Sequence, residues 1–222
     1  MFKLEQVKYK DIIDIDDLTI ESGKVTCITG ESGAGKSTLL KLLNKIISPD
    51  SGKISFEDKD LEEINSVEFR RKLPTLSQFP VIFDGTIRDN LLIGLKFSKR
   101  PKRDDEELLD ILHKVRLDKS LDADPAKLSG GEKQRLCIGR ILLMDTQAIM
   151  LDEPSASLDS KTEFEIINLI YDEIKSSGKT MIYITHTKDI AEKFSDIIVR
   201  LDKGRVQKIR NMEEERKEVA HG

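Results

Sequence analysis

Residues Gly30-Glu31-Ser32-Gly33-Ala34-Gly35-Lys36-Ser37-Thr38 set three glycines ahead of a lysine and two hydroxyls, in the pattern G-x-x-x-x-G-K-[ST]. Glycines let backbone N–H groups turn toward a phosphate with no Cβ in the way, and a helix starting there adds the positive end of its dipole. In such a cradle Lys36 reaches the β- and γ-phosphates and Ser37 holds Mg²⁺. A glycine-rich turn carrying a chance lysine is the bland alternative. A second chemical feature lies far along the chain, where the apolar run Ala148-Ile149-Met150-Leu151 ends in two adjacent carboxylates, Asp152 and Glu153. Side-chain direction changes at each residue of a strand. Asp152 is therefore expected to face a metal ion while Glu153 faces an attacking water and polarises it as a general base.

The elements that must hold these groups are legible around them. Val25-Thr26-Cys27-Ile28-Thr29 reads as a buried parallel strand ending at Gly30. Leucines and isoleucines at helical spacing (Leu39, Leu40, Leu42, Leu43, Ile46, Ile47) predict a helix from Ser37 to Ile47, stopped by Pro49. Strand, glycine loop and helix thus follow in the order a phosphate site needs. Residues 86–143 read as a mostly helical insertion. In it Leu108, Leu109, Ile111, Leu112 and Val115 form an amphipathic stripe broken at Asp124-Pro125, and Ser129 starts a helix toward Leu143. Beyond it the strand at 148–151 is followed by a helix with Phe164, Ile167, Ile170 and Ile174 on one side. Strands then follow at 180–184 and 197–201, with Asp202-Lys203-Gly204 as a turn. Alternating strands and helices predict a parallel α/β core.

Composition narrows the class. In 222 residues, 38% are hydrophobic and 35% charged, with a net charge of −4, so no basic field points to nucleic acid. The cluster Lys99-Arg100-Pro101-Lys102-Arg103 runs straight into Asp104, Asp105, Glu106 and Glu107, which reads as a solvated loop entering a helix. Cys27 and Cys137 sit in separate apolar stretches and are expected as two buried thiols in a reducing compartment, with a single disulfide between them as the alternative. The N-terminus lacks the apolar run of a signal peptide, and no stretch of about 18 apolar residues appears, so the chain is expected in the cytoplasm or on the cytosolic face of a membrane.

With a P-loop alone, kinases, GTPases and motors all remain. Two further segments decide between them: Pro154-Ser155-Ala156-Ser157-Leu158-Asp159, directly after Glu153, and Leu128-Ser129-Gly130-Gly131-Glu132, directly before Lys133-Gln134-Arg135. With them the chain resembles the ABC (ATP-binding cassette) ATPase family over nearly its whole length. Leu128–Glu132 resembles the family signature LSGGQ, with Glu132 in place of Gln. In the family this segment reaches across a dimer to the γ-phosphate held by the other subunit. The resemblance implies a P-loop NTPase fold: a RecA-like parallel core sheet with an N-terminal antiparallel β subdomain and an inserted α-helical subdomain. The whole of 1–222 would be one ATPase domain, with a core at 1–85 and 144–211, the helical subdomain at 86–143 and a charged tail at 212–222.

It also implies roles. Gln78 resembles the Q-loop glutamine that contacts Mg²⁺ and water, Asp159 the D-loop aspartate that couples the two sites, and His186 the switch histidine that hydrogen-bonds the γ-phosphate. Tyr9 resembles the aromatic that stacks on adenine, with Phe2 and Phe56 as rival aromatics and a core or edge role as its alternative. Phe83-Asp84-Gly85-Thr86-Ile87-Arg88-Asp89-Asn90-Leu91 resembles the stretch where a permease's coupling helix docks. Asp122–Lys127 replaces the glycine/glutamate segment of fused exporters, and the compact chain most resembles stand-alone subunits of an iron or metal exporter group. Fifty residues lie between Gln78 and Ser129, too few for the coiled coils of the DNA-repair and chromosome branch. The resemblance thus implies an ATP- and Mg²⁺-dependent ATPase that dimerises on ATP and powers a separate membrane permease. The rival is a soluble, ATP-gated regulatory clamp; a P-loop kinase would leave Leu128–Glu132 unexplained.

Overall fold

The computed structural model describes residues 1–154 and 159–221. Ser155–Leu158, part of the segment after Glu153 that carries the family resemblance, and Gly222 of the tail lie outside the described residues. Two sheets form the molecule. Strands β1 (Phe2–Tyr9), β2 (Ile13–Ile20), β4 (Ser51–Phe56) and β5 (Lys59–Asp60) make an antiparallel sheet in the order β2-β1-β4-β5. In β1 the buried positions run Phe2, Leu4, then Val7. The change of phase falls at Gln6, whose φ of 50° accompanies a register shift against β4 between Glu5 and Lys8.

The second sheet contains β3 (Val25–Thr29), β6 (Thr75–Leu76), β7 (Ala148–Asp152), β8 (Thr180–Ile184), β9 (Ile197–Asp202) and β10 (Arg205–Asn211), in the order β10-β9-β3-β8-β7-β6. All its pairings are parallel except the β9–β10 hairpin at one edge. Every residue of β8 is buried, as expected for a central strand covered on both faces. Ile28, Met150, Ile182, Ile184 and Val199 point to one face, against helix α1 (Lys36–Leu43) and the antiparallel sheet. Cys27, Ile149, Leu151, Met181 and Tyr183 point to the other. There they share a core with α3 (Ile87–Phe97), α4 (Asp105–Lys114), α5 (Gly130–Leu143) and α6 (Ser160–Ser176). A short helix α2 (Ser66–Lys72) precedes β6, α7 (Lys188–Lys193) follows β8, and α8 (Met212–His221) closes the chain.

Three elements depart from the sequence reading. Helix α1 ends at Leu43, not Ile47, and Ile46 is exposed. The cause is tertiary: Lys45 turns to φ 52°, and its ammonium donates to the carbonyls of Leu61, Glu62 and Ile64. Helix α4 stops at Lys114, well before Asp124-Pro125, where Arg116 adopts φ 55°, and Leu109 of the predicted stripe faces solvent. In α6 the buried set is Ile166, Ile167, Ile170 and Ile174, with Phe164 at the margin. The tail, given no role from sequence, is a docked helix. Met212 is buried, Lys24 pairs with Glu213 at 2.7 Å, and the Arg216 guanidinium donates to the carbonyls of Glu192, Lys193 and Ser195 behind α7.

Candidate functional site

The carboxyl ends of β3, β7 and β8 lie side by side, and each releases one part of the site: the glycine loop, the paired carboxylates and the histidine segment. Ligands of open α/β sheets bind at this edge. The loop needs its glycines where it passes closest to other backbone. Gly30 has φ 148°, and a Cβ there would sit 2.3 Å from the Leu201 carbonyl oxygen. Gly35 has φ 97°, and its Cβ would meet Ile13 Cδ1 at 2.9 Å and the Ile12 carbonyl oxygen at 3.0 Å. The turn at Asp202-Lys203-Gly204 braces the loop, since the Gly204 N–H donates to Ala34 O at 3.1 Å while its carbonyl accepts from Asp14 N at 3.0 Å.

Lys36 is largely buried, and its Nζ donates to the carbonyls of Gly30 and Glu31, 2.9 Å each, across the mouth of the loop. Burial lowers its pKa, against the pull of Glu153 and Asp152. Ser37 Oγ donates to Asp152 Oδ1 at 3.1 Å, so the β7 carboxylate faces the first turn of α1. Desolvation raises the Asp152 pKa despite the Ser37 hydrogen bond, and the adjacent Glu153 charge adds to the rise.

Glu153 leaves the strand with φ 48°, a left-handed conformation that costs a non-glycine residue about 1–3 kcal/mol. That turn sends its carboxylate away from the Ser37–Asp152 pair. Oε2 accepts from Gln78 Nε2 at 2.9 Å, and Oε1 lies 2.7 Å from His186 Nε2. The structure therefore brings together Lys36, Ser37, Gln78, Asp152, Glu153 and His186, drawn from separate stretches of sequence.

Ser129 caps α5, with Glu132 closing a capping box: the Glu132 N–H donates to Ser129 Oγ and Ser129 N–H donates to Glu132 Oε2 at 2.8 Å. Lys119 stands 3.1 Å from the Glu132 carboxylate. The Ser129 backbone N–H first, then Lys119, hold that carboxyl down at about 2. The space beside Gly130 is open, with no atom within 4 Å of where a Cβ would lie. Asp159 caps α6, accepting from the N–H groups of Lys161 and Thr162 and from the Thr162 hydroxyl. Tyr9 ends β1, half-buried against the core that includes α1, with the Lys10 ammonium 5.2 Å from its ring centroid.

Two polar side chains, one buried and one partly buried, are not singled out by the sequence. Gln134, fully buried on α5, donates from Nε2 to the carbonyl of Pro154 at 2.9 Å, joining the helix capped by Ser129 to the turn after Glu153. Arg140 lies further along α5. It donates to Asn90 O at 2.7 Å, to Asn90 Oδ1 at 2.9 Å and to Val81 O at 2.9 Å, and its guanidinium stacks 5.0 Å over the Phe83 ring. Burial lowers its pKa. The one available signal was a polar residue in the middle of an otherwise buried helix.

A family model described as ABC transporter matches residues 13–156. The chain belongs to the ABC transporter family. It is 33% identical over 215 residues to the methionine import ATP-binding protein MetN 3 of Bacillus cereus, covering 92% of this chain and 62% of that one. The chain thus spans about three fifths of that relative's length. It is 35% identical over 196 residues to the L-cystine import ATP-binding protein TcyN of Bacillus subtilis, covering 85% and 75% of the two chains. Among solved structures, the ATP-binding cassette MJ0796, dimeric in a post-hydrolysis state with ADP and Pi, superposes with a TM-score of 0.85 at 29% identity, covering 96% of this chain and 99% of that one. The ABC cassette fold anticipated from Leu128–Glu132 and its companions is the one observed, antiparallel sheet included. None of these three is named for iron or another metal.

Proposed function

We propose that the chain binds and hydrolyses ATP as the motor subunit of an ABC transporter, working as a pair of copies beneath a separate membrane permease. The observation that carries this is the placement of Glu153: beside the P-loop, turned by a strained backbone onto Gln78 and His186, and separate from the Ser37–Asp152 pair. This supports one carboxylate held by Gln78 and His186 for work on water and the other set beside Ser37 for a cation.

In this reading the N–H groups of Gly30–Thr38 and the Lys36 ammonium hold the triphosphate. Mg²⁺ fits the remaining groups. The Ser37 hydroxyl and Asp152 carboxylate are hard oxygen donors 3.1 Å apart, and the desolvated Asp152 charge is one a cation would stabilise. Ser37, Asp152 and the Gln78 amide oxygen would hold it, and when bound it would neutralise charge on the phosphate oxygens. Glu153 accepts the proton of the attacking water, and His186, hydrogen-bonded to it, orients the carboxylate and reaches toward the γ-phosphate. Tyr9 stacks on the adenine. Ser129, Gly130, Gly131 and Glu132 act on the nucleotide of a second copy, and Asp159 lies at the junction between the two sites. ATP then sits between copies, as the open N-terminus of α5 supports.

In this reading the permease docks on residues 83–91. Phe83, with the exposed Val81 and Phe97, lines an apolar groove of about 210 Å³ floored by Cys137 and Ile141, and Asn90 and Arg140 hold the backbone of this stretch, which supports the assignment. Among the described residues no helix is long and apolar enough to cross a membrane, in keeping with a peripheral place on the cytosolic face. The direct test is turnover. Glu153→Gln keeps its place between Gln78 and His186 but loses the base, so kcat for ATP falls about 10²–10⁴-fold while ATP affinity is unchanged. Wild-type turnover in that variant overturns the assignment.

A further inference from the structure

A cleft of about 740 Å³ opens on the α6–α7 side of the large sheet, opposite the face that α1 covers. Its floor is apolar, formed by Ala191 of α7 and Ile198 of β9, both buried. Its wall is a row across three strands. Thr29 of β3 stands opposite Arg200 of β9, and Arg200 stands opposite Lys208 of β10. Like charges in direct cross-strand register destabilise a sheet. In the next row Arg210, opposite the apolar Ile198, is tied to Glu192 at 2.7 Å and to Glu215.

Arg200 and Lys208 have no such partner. Among the described residues neither makes a hydrogen bond or ion pair through its side chain, and neither does Lys188, which enters the cleft from the start of α7. Glu192 and Glu215 are taken by Arg210, and Lys188 and Lys208 act on them only at longer range. Glu31, on the lip shared with the phosphate loop, is the remaining acid of the lining. Three unpaired cations thus surround an apolar floor in a space of the size that encloses a small molecule. None of the three belongs to the groups that hold nucleotide.

We propose that this cleft is a second ligand site, for a small organic anion: a compact apolar or aromatic body bearing one phosphate, sulfonate or carboxylate. The body covers Ala191 and Ile198, and the anion bridges Arg200 and Lys208, relieving their repulsion. Gly30 and His186 of the proposed nucleotide site line the near end of the same cleft, but the anion contacts are Arg200 and Lys208, so the site stands whether or not His186 acts in hydrolysis.

Phenyl phosphate is the probe, titrated calorimetrically into the full chain with ADP saturating the nucleotide site. One saturable site is expected, with inorganic phosphate binding at least tenfold more weakly because it leaves the floor uncovered. Arg200→Gln with Lys208→Gln weakens phenyl phosphate at least tenfold and leaves ADP affinity unchanged. Arg200→Glu, which creates a cross-strand ion pair with Lys208 and so favours folding, also weakens it. Lys36→Ala, which removes a nucleotide contact, retains phenyl phosphate binding. The proposal is overturned by absence of saturable binding, by equal affinity for inorganic phosphate, by indifference to the Arg200 and Lys208 substitutions, or by loss of binding in Lys36→Ala.

Discussion

Glu132 shows how one residue serves two purposes that a pattern alone does not separate. At the fifth position of Leu128–Glu132 it departs from the glutamine of the family signature, yet its carboxylate accepts the Ser129 N–H and pairs with Lys119. A glutamine accepts the same backbone hydrogen bond through its amide oxygen and loses only the charge. The carboxyl is lowered from 4.5 to about 2, so the stability it contributes is fully present above about 4.5 and is lost as pH falls toward 2. Glu132→Gln is therefore expected to change unfolding free energy at pH 7 by less than about 1 kcal/mol, as for other exposed pairs. Between pH 4.5 and 2 the variant should lose less stability than the wild type. Urea midpoints across that range check it, and parallel acid limbs for the two proteins contradict it. At the same scale, the positive φ of Glu153 gives the adjacent carboxylates different partners, Ser37 for Asp152 and Gln78 for Glu153, because the chain turns between them; the proposed division of work rests on that turn.

Among the elements, α5 does most to connect the parts. Ser129 caps its start, Gln134 grips Pro154 behind Glu153, and Arg140 holds the segment from Val81 to Asn90. Arg140→Met fills a similar volume but strands the carbonyls of Val81 and Asn90 and the Asn90 amide oxygen's second donor. The expected cost is about 1.5–3 kcal/mol, the range for losing hydrogen bonds from a charged group in a partly buried place. Arg140→Lys recovers little, because an ammonium cannot span three acceptors as a planar fork does. Thermal and denaturant unfolding measure both, and a loss below about 1 kcal/mol for Arg140→Met rules out the clamp.

Much of this architecture was legible because it is written locally. The β-branched run before Gly30, the apolar strand before Asp152 and the Ser-x-x-Glu cap at Ser129 each carry their own signal. What stayed hidden depends on residues distant in sequence. Helix α1 ends at Leu43 because Lys45 finds three carbonyls near Leu61. The tail docks because Arg216 finds the carbonyls behind α7. Gln134 and Arg140 are spelled like surface residues and are drawn inward, Gln134 fully and Arg140 in part, by partners that no spacing rule names.

For the whole molecule, the decisive question is what faces the open N-terminus of α5. In the proposed reading this helix start, capped by Ser129 and open beside Gly130, receives an anion. If that anion is the γ-phosphate of a nucleotide on a second copy, association depends on unhydrolysed ATP. Glu153→Gln, which binds ATP without consuming it, should sediment at twice the mass of one chain in millimolar ATP and as a single chain without nucleotide. Gly130→Glu added to that variant tests the contact itself. Its new Cβ meets nothing within 4 Å, so folding is undisturbed, but a carboxylate now stands where the phosphate would arrive. The double variant should bind ATP with the affinity of Glu153→Gln and remain a single chain. Persistence of Glu153→Gln as a single chain in millimolar ATP would remove the paired-site mechanism, and a dimer unaffected by Gly130→Glu would move the interface away from α5.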